Sequence, residues 1–191
     1  MSTIAGLRAA TWALHQRLEK RLDVKARFSS CSAYRAHLEH MWGFCAALET
    51  NVAASLQGVL ADFDSRRKLP LLSRDLLVLG SSAAAIDALP LCPGIPRCED
   101  AAESFGCLYV IEGATLGGRT LLPMVQSRLG MTAEHGASFL ASYGDDVGSM
   151  WRAFGAALDA CCSDQQHRDR AAAAAAATFG SLDRWLCADP S

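Results

Sequence analysis

Residues branched at Cβ are scarce in this chain: seven valines, four isoleucines and seven threonines stand among 191 residues, against 34 alanines. Alanine loses little freedom in a helix, whereas strands draw on branched side chains, so the composition favours an all-α fold. An excess of positive charge is also missing. Lys and Arg total 18 against 20 for Asp and Glu, a formal net charge of −2, which removes the basic footprint that nucleic-acid or anionic-membrane binding requires. No run of 18 apolar residues occurs, and the first 20 residues carry Arg8, His15, Arg17, Glu19 and Lys20 in place of a signal peptide's apolar block. The expectation is a cytoplasmic protein with neither a membrane nor a nucleic-acid partner. No Cys-x-x-Cys occurs among the eight cysteines, at 31, 45, 92, 98, 107, 161, 162 and 187. Zinc-ribbon and thioredoxin-type sites therefore lack their spacing, and the thiols are expected to be reduced.

At this length the chain suits one domain, residues 1–191, that buries roughly 70% of the surface of its unfolded form. From Ser2 or Thr3, Ile4, Leu7, Thr11, Leu14, Leu18 and Leu22 recur at spacings of three and four, one face of an amphipathic helix. Ser29, Ser30 and Ser32 offer N-caps for a second helix running to Leu56. Ser73 is expected to cap a shorter helix over Leu76 to Leu79. Leu89 to Arg97, with Pro90, Pro93 and Pro96, reads as a connection. Glu99 and Asp100 favour the start of a long helix ending at Gly130. Thr132 and Ser138 suggest a short helix near Phe139, Asp145 or Asp146 caps one to about Cys162, and Asp164 opens a last one to Trp185 and Leu186. About seven helices result, with no internal repeat. The alanine run 171–177 is the middle of the last helix, where small side chains permit close packing.

Five histidines are candidates for chemistry. His37 and His40 lie three apart on the second helix, but a di-iron bundle needs paired Glu-x-x-His motifs and none occurs. They are expected to be solvated or to pack between helices, and His135 and His167 to lie at the surface. His15 differs, because Glu19 follows it by four residues on the same helical side. A carboxylate so placed can fix one imidazole nitrogen and free the other to bind iron; the plainer alternative is a half-buried histidine paired with an acid. Gly113, Gly117 and Gly118 are the second unusual feature. They interrupt LYVIEGATLGGRTLL, and each interior glycine costs about 0.8–1.0 kcal/mol relative to alanine. Either another helix crosses closely here, or the backbone touches a flat ligand.

ATWALHQRLE at 10–19 followed by LYVIEGATLGG at 108–118 resembles the heme oxygenase family, in which an Ala-Thr-x-x-x-His-x-x-x-Glu helix bears the proximal histidine and a glycine-kinked helix covers the distal face. The tail, with WRAFGAALD at 151–159 and ATFGSLDRWL at 177–186, is similar to bacterial members that accompany bacteriophytochromes. The resemblance spans nearly the whole chain. It implies a single-domain helical bundle with heme between the first helix and the glycine-kinked one. It makes His15 the iron ligand, Glu19 its hydrogen-bond partner, and Gly113 and Gly117, with Gly118 beside them, the distal backbone. His15, Gly113 and Gly117 then carry the catalysis. Arg8 and Arg152 fall where heme propionates are bound, a role that suits guanidinium groups. Thr11, Tyr109 and Phe179 are expected to line the pocket.

Heme would be both cofactor and substrate, with O2 and electrons from an external reductase or a ferredoxin, and with biliverdin, carbon monoxide and ferrous iron as products. Biliverdin would pass to a bacteriophytochrome. Two positions depart from animal members: Ala114 replaces an aspartate that orders distal water, and Trp12 replaces a basic residue near the propionates. The alternatives are a heme carrier without turnover, a thiamin-degrading enzyme of the same fold, and a helical interaction module. Cys92-Pro93, a pair that sometimes serves as a secondary heme ligand, is taken as incidental in its Pro-rich loop.

Overall fold

The computed structural model describes residues 2–187; Met1 and residues 188–191, the ends of the expected domain, lie outside the described residues. Ten α-helices occur among them. Helix α1 (Thr3–Arg21) starts at Ser2, whose hydroxyl accepts from the Ala5 amide. A short α2 (Val24–Arg27) leads into α3 (Cys31–Leu56), capped by Ser30. Then follow α4 (Phe63–Arg66), α5 (Leu69–Val78) and α6 (Ala83–Asp87). Residues 89–97 form the expected non-helical connection. Asp100 caps α7 (Ala101–Leu129), and Gly130 ends it in the left-handed region at φ 70°. The chain closes with α8 (Ser138–Ala141), α9 (Val147–Cys161) and α10 (Gln165–Leu186), the last capped by Asp164.

Helix α7 is the central post. Its first half is buried on almost every side, from Ser104 to Glu112, and it packs against α10, α3, α8 and α9, while α1 lies against α10 and α9. Alanines in α10 make the tightest of these crossings: a Cβ on Gly106 would drive into the backbone of Ala171. A second close approach lets α3 meet the Pro-rich connection, where Gly43 faces the Pro90 carbonyl and accepts from the Cys92 amide at 3.1 Å. Each fully buried leucine, such as Leu38, Leu48 and Leu72, contributes about 1.5–3 kcal/mol to this core.

Two helix starts are set by side chains remote in sequence. Ser73 does not cap α5 as its sequence suggests. The Glu49 carboxylate on α3 accepts from the Lys68 amide at 2.6 Å and the Leu69 amide at 3.3 Å, which starts α5 one turn earlier, and Ser73 sits inside it accepting from the Trp42 indole. Likewise Asp75 accepts from the Ser138 and Phe139 amides, each at 2.8 Å, and caps α8. The short helices α2, α4 and α6 raise the number above seven. Helix α7 is one continuous helix through Gly113, Gly117 and Gly118. Of the two roles expected for the paired histidines, His37 takes the packed one, buried edge-on against Phe28, and His40 the exposed one.

Candidate functional site

A cavity of about 540 Å³ opens between α1 and the middle of α7, walled by α9 and α10. The periodicity of α1 sets its first wall. Leu7, Thr11 and Leu18 turn inward and are buried, while His15 lines the cavity with its side chain exposed. Thr11 is held by its hydroxyl, which donates to the Leu7 carbonyl at 2.8 Å. The His15 ring meets Phe179 of α10 edge-on with centroids 5.8 Å apart. Its Nδ1 lies 3.5 Å from a Glu19 carboxylate oxygen, long for a hydrogen bond but on the side the i, i+4 spacing dictates. Nε2 has no protein hydrogen-bond partner among the described residues, so it is available as a ligand atom.

The opposite wall is the α7 segment with Tyr109, Val110, Gly113, Ala114, Leu116 and Gly117. The three clustered glycines divide by function. A Cβ on Gly117 would meet nothing within 4 Å, and one on Gly113 only the edge of Trp151 at 4.0 Å. Both therefore present bare backbone to open space. Gly118 is different: it does not line the cavity, and a Cβ there would strike the Leu140 carbonyl of α8. It is a packing glycine, turned away because each helical residue rotates the side-chain direction by about 100°.

The two arginines, on α1 and α9, are placed differently. Arg8 lines the cavity, with its guanidinium carbon 5.7 Å from the centre of the Trp12 ring. Arg152 follows Trp151, which faces the cavity, and so points elsewhere; it is exposed, with its guanidinium beside Gly148. The expected placement of Arg152 at the pocket is thus corrected. Glu19, Thr11, Tyr109 and Phe179 are brought together with His15, Gly113 and Gly117 around one space. Burial pushes the Tyr109 phenol up, partly offset by a hydrogen bond with Thr11.

Trp12 and Trp151 complete the walls and were not singled out as lining residues. Trp12 is 49% exposed and lies almost parallel to the His15 ring, at an interplanar angle of 4° with centroids 6.3 Å apart. Trp151 packs against Tyr109 and Phe154. The sequence signal for Trp151 is an aromatic on the apolar face of a helix, which alone does not separate a pocket from a core.

Behind the glycine segment runs a buried ionic network that sequence reasoning missed. Arg66 donates to Glu112 at 2.5 Å and to both Asp62 carboxylate oxygens, at 2.8 and 2.7 Å. It also donates to the Met150 carbonyl at 3.2 Å. Lys68 donates to the Tyr143 hydroxyl, which donates to Glu112, each at 2.6 Å. Burial lowers the Lys68 ammonium from its ordinary value, opposed by the Glu112 carboxylate. The network ties α4, α9 and α7 together immediately before Gly113. Its one signal in the sequence is a lone acid, Glu112, within an apolar helical run.

A second concavity, about 550 Å³, lies where α2 and α3 meet the end of α10. It is shallow, lined by Arg21, Arg27, His37 and His40 among small side chains, and lacks the apolar walls of the His15 cavity. Among the described residues no group of three or more His, Cys, Asp or Glu side chains could hold a metal ion, and no helix is long and apolar enough to cross a membrane.

Residues 1–188 match the family model described as Heme oxygenase. Over 124 residues the chain is 36% identical to the heme oxygenase of Xanthomonas campestris pv. campestris (strain 8004), covering 65% of this chain and 70% of that protein. A heme oxygenase from Neisseria meningitidis, solved with NO and CO bound, superposes with a TM-score of 0.80 at 25% identity, over 97% of this chain and 90% of the other. Heme oxygenase from Leptospira interrogans shares the fold at a TM-score of 0.77 and 17% identity, covering 98% of this chain and 99% of that one. Heme oxygenase 2 from Chlamydomonas reinhardtii, solved without heme, gives 0.77 and 17% over 100% and 98%.

Proposed function

The chain belongs to the heme oxygenase family, and on that premise we propose that it opens the ring of a heme held between His15 and the bare backbone of Gly113 and Gly117, yielding biliverdin, carbon monoxide and ferrous iron. The observation that carries this reading is the pairing of an unpartnered imidazole nitrogen with two glycines facing open space across one cavity. The residues present fit a flat, mainly apolar group with acidic substituents. The volume of about 540 Å³ falls within the range of about 300–1,000 Å³ typical of small-molecule sites.

Bound heme supplies the iron at which O2 is reduced, and it is consumed as the substrate. The chain's residues supply position and exclusion. His15 would hold the iron through an imidazole, a ligand that unlike a thiolate does not favour O–O cleavage. Glu19 lies on the Nδ1 side and favours a proton there, which leaves Nε2 as the ligand atom. Gly113 and Gly117 would let the helix backbone approach a flat ligand with no Cβ between, and so would limit the space beside it. Trp151 and Phe179 keep water off the edges, and Arg8 is placed to bind a propionate in bidentate fashion.

Electrons come, on this proposal, from an external reductase or a ferredoxin. Biliverdin is delivered to a bacteriophytochrome, a reading supported by the resemblance of the segments at 151–159 and 177–186 to the bacterial members that accompany such photoreceptors. A second reading, a heme carrier of the same fold, draws on Ala114, which puts a methyl group in the cavity wall where animal members have an aspartate that orders water. The test is aerobic reduction of the heme complex with catalase present, followed by extraction of the pigment. Biliverdin with released carbon monoxide supports the oxygenase; unchanged heme under several electron donors supports the carrier.

A further inference from the structure

Away from the cavity, two thiols meet at the start of α7. Cys98, in the connection just before the helix, and Cys107, inside it, have their sulfurs 3.3 Å apart. Cys107 is buried, while Cys98 is partly exposed. Neither is free to turn away. The Asn51 amide of α3 donates to the Cys98 sulfur at 3.2 Å and to the Pro96 carbonyl at 2.7 Å, which fastens the Pro-rich connection against α7. From the other side the Thr178 hydroxyl of α10 donates to the Cys107 sulfur at 3.2 Å. Three helices thus hold the pair together, although no disulfide joins them and sequence spacing alone does not single them out.

We propose that Cys98 and Cys107 form a peroxide-oxidisable site, with Cys98 the attacking thiol and Cys107 the resolving one. The Cys98 sulfur attacks one oxygen of a hydroperoxide, the O–O bond breaks, and the other oxygen leaves as water with the thiol proton. Cys98 becomes a sulfenic acid, oxidised by two electrons. Cys107 then attacks the Cys98 sulfur: the S–S bond forms, the S–O bond breaks, and the departing hydroxide takes the Cys107 proton as a second water. Two thiols and one hydrogen peroxide give one disulfide and two waters. Cys98 is the attacker because it has solvent access, and hydrogen bonds from Cys107 and Asn51 draw its thiol below the ordinary value despite partial burial. Cys107 is pushed up by the same pairing and by burial, which suits a resolving thiol that stays protonated until its partner is oxidised.

The oxidant is hydrogen peroxide, the product of any two-electron reduction of O2 that does not end in ring attack. Its supply by this protein rests on the oxygenase reading; the thiol site itself does not. The heme-free protein therefore tests the site alone. It is treated with equimolar hydrogen peroxide under a metal chelator, blocked with iodoacetamide and digested with trypsin. Both cysteines fall in the one peptide 98–119, so the disulfide appears as an unalkylated peptide two hydrogens lighter.

The expected result is that peptide, forming about tenfold or more faster than any change at the buried Cys45 or Cys92. Cys107→Ser should trap Cys98 as a dimedone-reactive sulfenic acid, and Cys98→Ser should leave Cys107 unmodified. Peptide 98–119 recovered fully alkylated after peroxide is consumed would overturn the proposal. So would oxidation at the same rate as Cys45, or a Cys107→Ser variant that never reacts with dimedone.

Discussion

Arg66 and Glu112 meet at 2.5 Å with both side chains out of solvent, 0% and 1% exposed, on the residue immediately before Gly113. The pair ties α7 to α4 one residue before the cavity wall begins at Gly113. A buried charge left alone is costly, whereas a pair replaced by apolar side chains is often neutral. Arg66→Met and Glu112→Leu should each destabilise by about 3–5 kcal/mol, and the double variant by less than their sum, keeping part of the loss because Lys68 and Asp62 are left without their partners. Urea unfolding of the four proteins checks this; additive losses would show that the pair is not coupled.

The glycines should separate in a stability assay. Gly118→Ala and Gly106→Ala place a Cβ against the backbone of Leu140 and Ala171, and overpacking of this kind costs about 1–3 kcal/mol or more. Gly117→Leu meets open space and should keep or slightly raise the melting temperature, since glycine is a poor helix former. Hemin binding should show the reverse order, with Gly117→Leu the most impaired. Equal hemin affinity in Gly117→Leu and wild type would mean that the ligand does not approach this face.

Arg8 and Arg152 make opposite predictions. Arg8→Met should weaken hemin binding by about tenfold, the scale of one lost charge-assisted hydrogen bond, and Arg152→Met should leave it unchanged because that side chain lies outside the cavity. Hemin dimethyl ester, without free carboxylates, should bind wild type and Arg8→Met alike. A defect in Arg8→Met that persists with the ester would assign Arg8 to packing on Trp12.

Acid should expose His37. Burial, and then the nearby Arg27 charge, hold its imidazole down to about 3 from the ordinary 6.5. Below about 6.5 the unfolded chain gains a proton there that the folded protein refuses. The folded value is the depressed one, so stability is retained above about 6.5 and lost as pH falls toward 3, by at most about 1.4 kcal/mol per unit. His37→Leu should flatten the stability profile between these limits; an unaltered acid limb would show that His37 is protonated within the fold.

What the sequence made legible follows from local physics. The three-and-four spacing of α1, the caps at Ser2, Ser30, Asp100 and Asp164, and the left-handed stop at Gly130 each act within a turn of their own position, and so could be seen without the fold. The start of α5 could not, because its cap is Glu49 on another helix, and Ser73 answers to Trp42. His15 with Glu19 and the glycine cluster stood out by composition, yet only helical phase separates Gly117 from Gly118, or Trp151 from Arg152. A cluster can be found from a motif, but one residue of error turns a side chain from a ligand's face to a neighbouring helix. The Arg66 network needed the tertiary fold, since its members come from four separate segments.

The most direct test of the account is a hemin titration of wild type and His15→Ala followed by visible absorbance. His15 is exposed, with no hydrogen bond from Nε2 among the described residues, so its loss should leave the fold intact. Wild type should saturate at one hemin per chain with a sharp Soret band. His15→Ala should show a weakened, shifted band that added imidazole restores. Identical titrations of the two proteins, or no saturable binding by wild type, would contradict the assignment of His15 as the heme ligand.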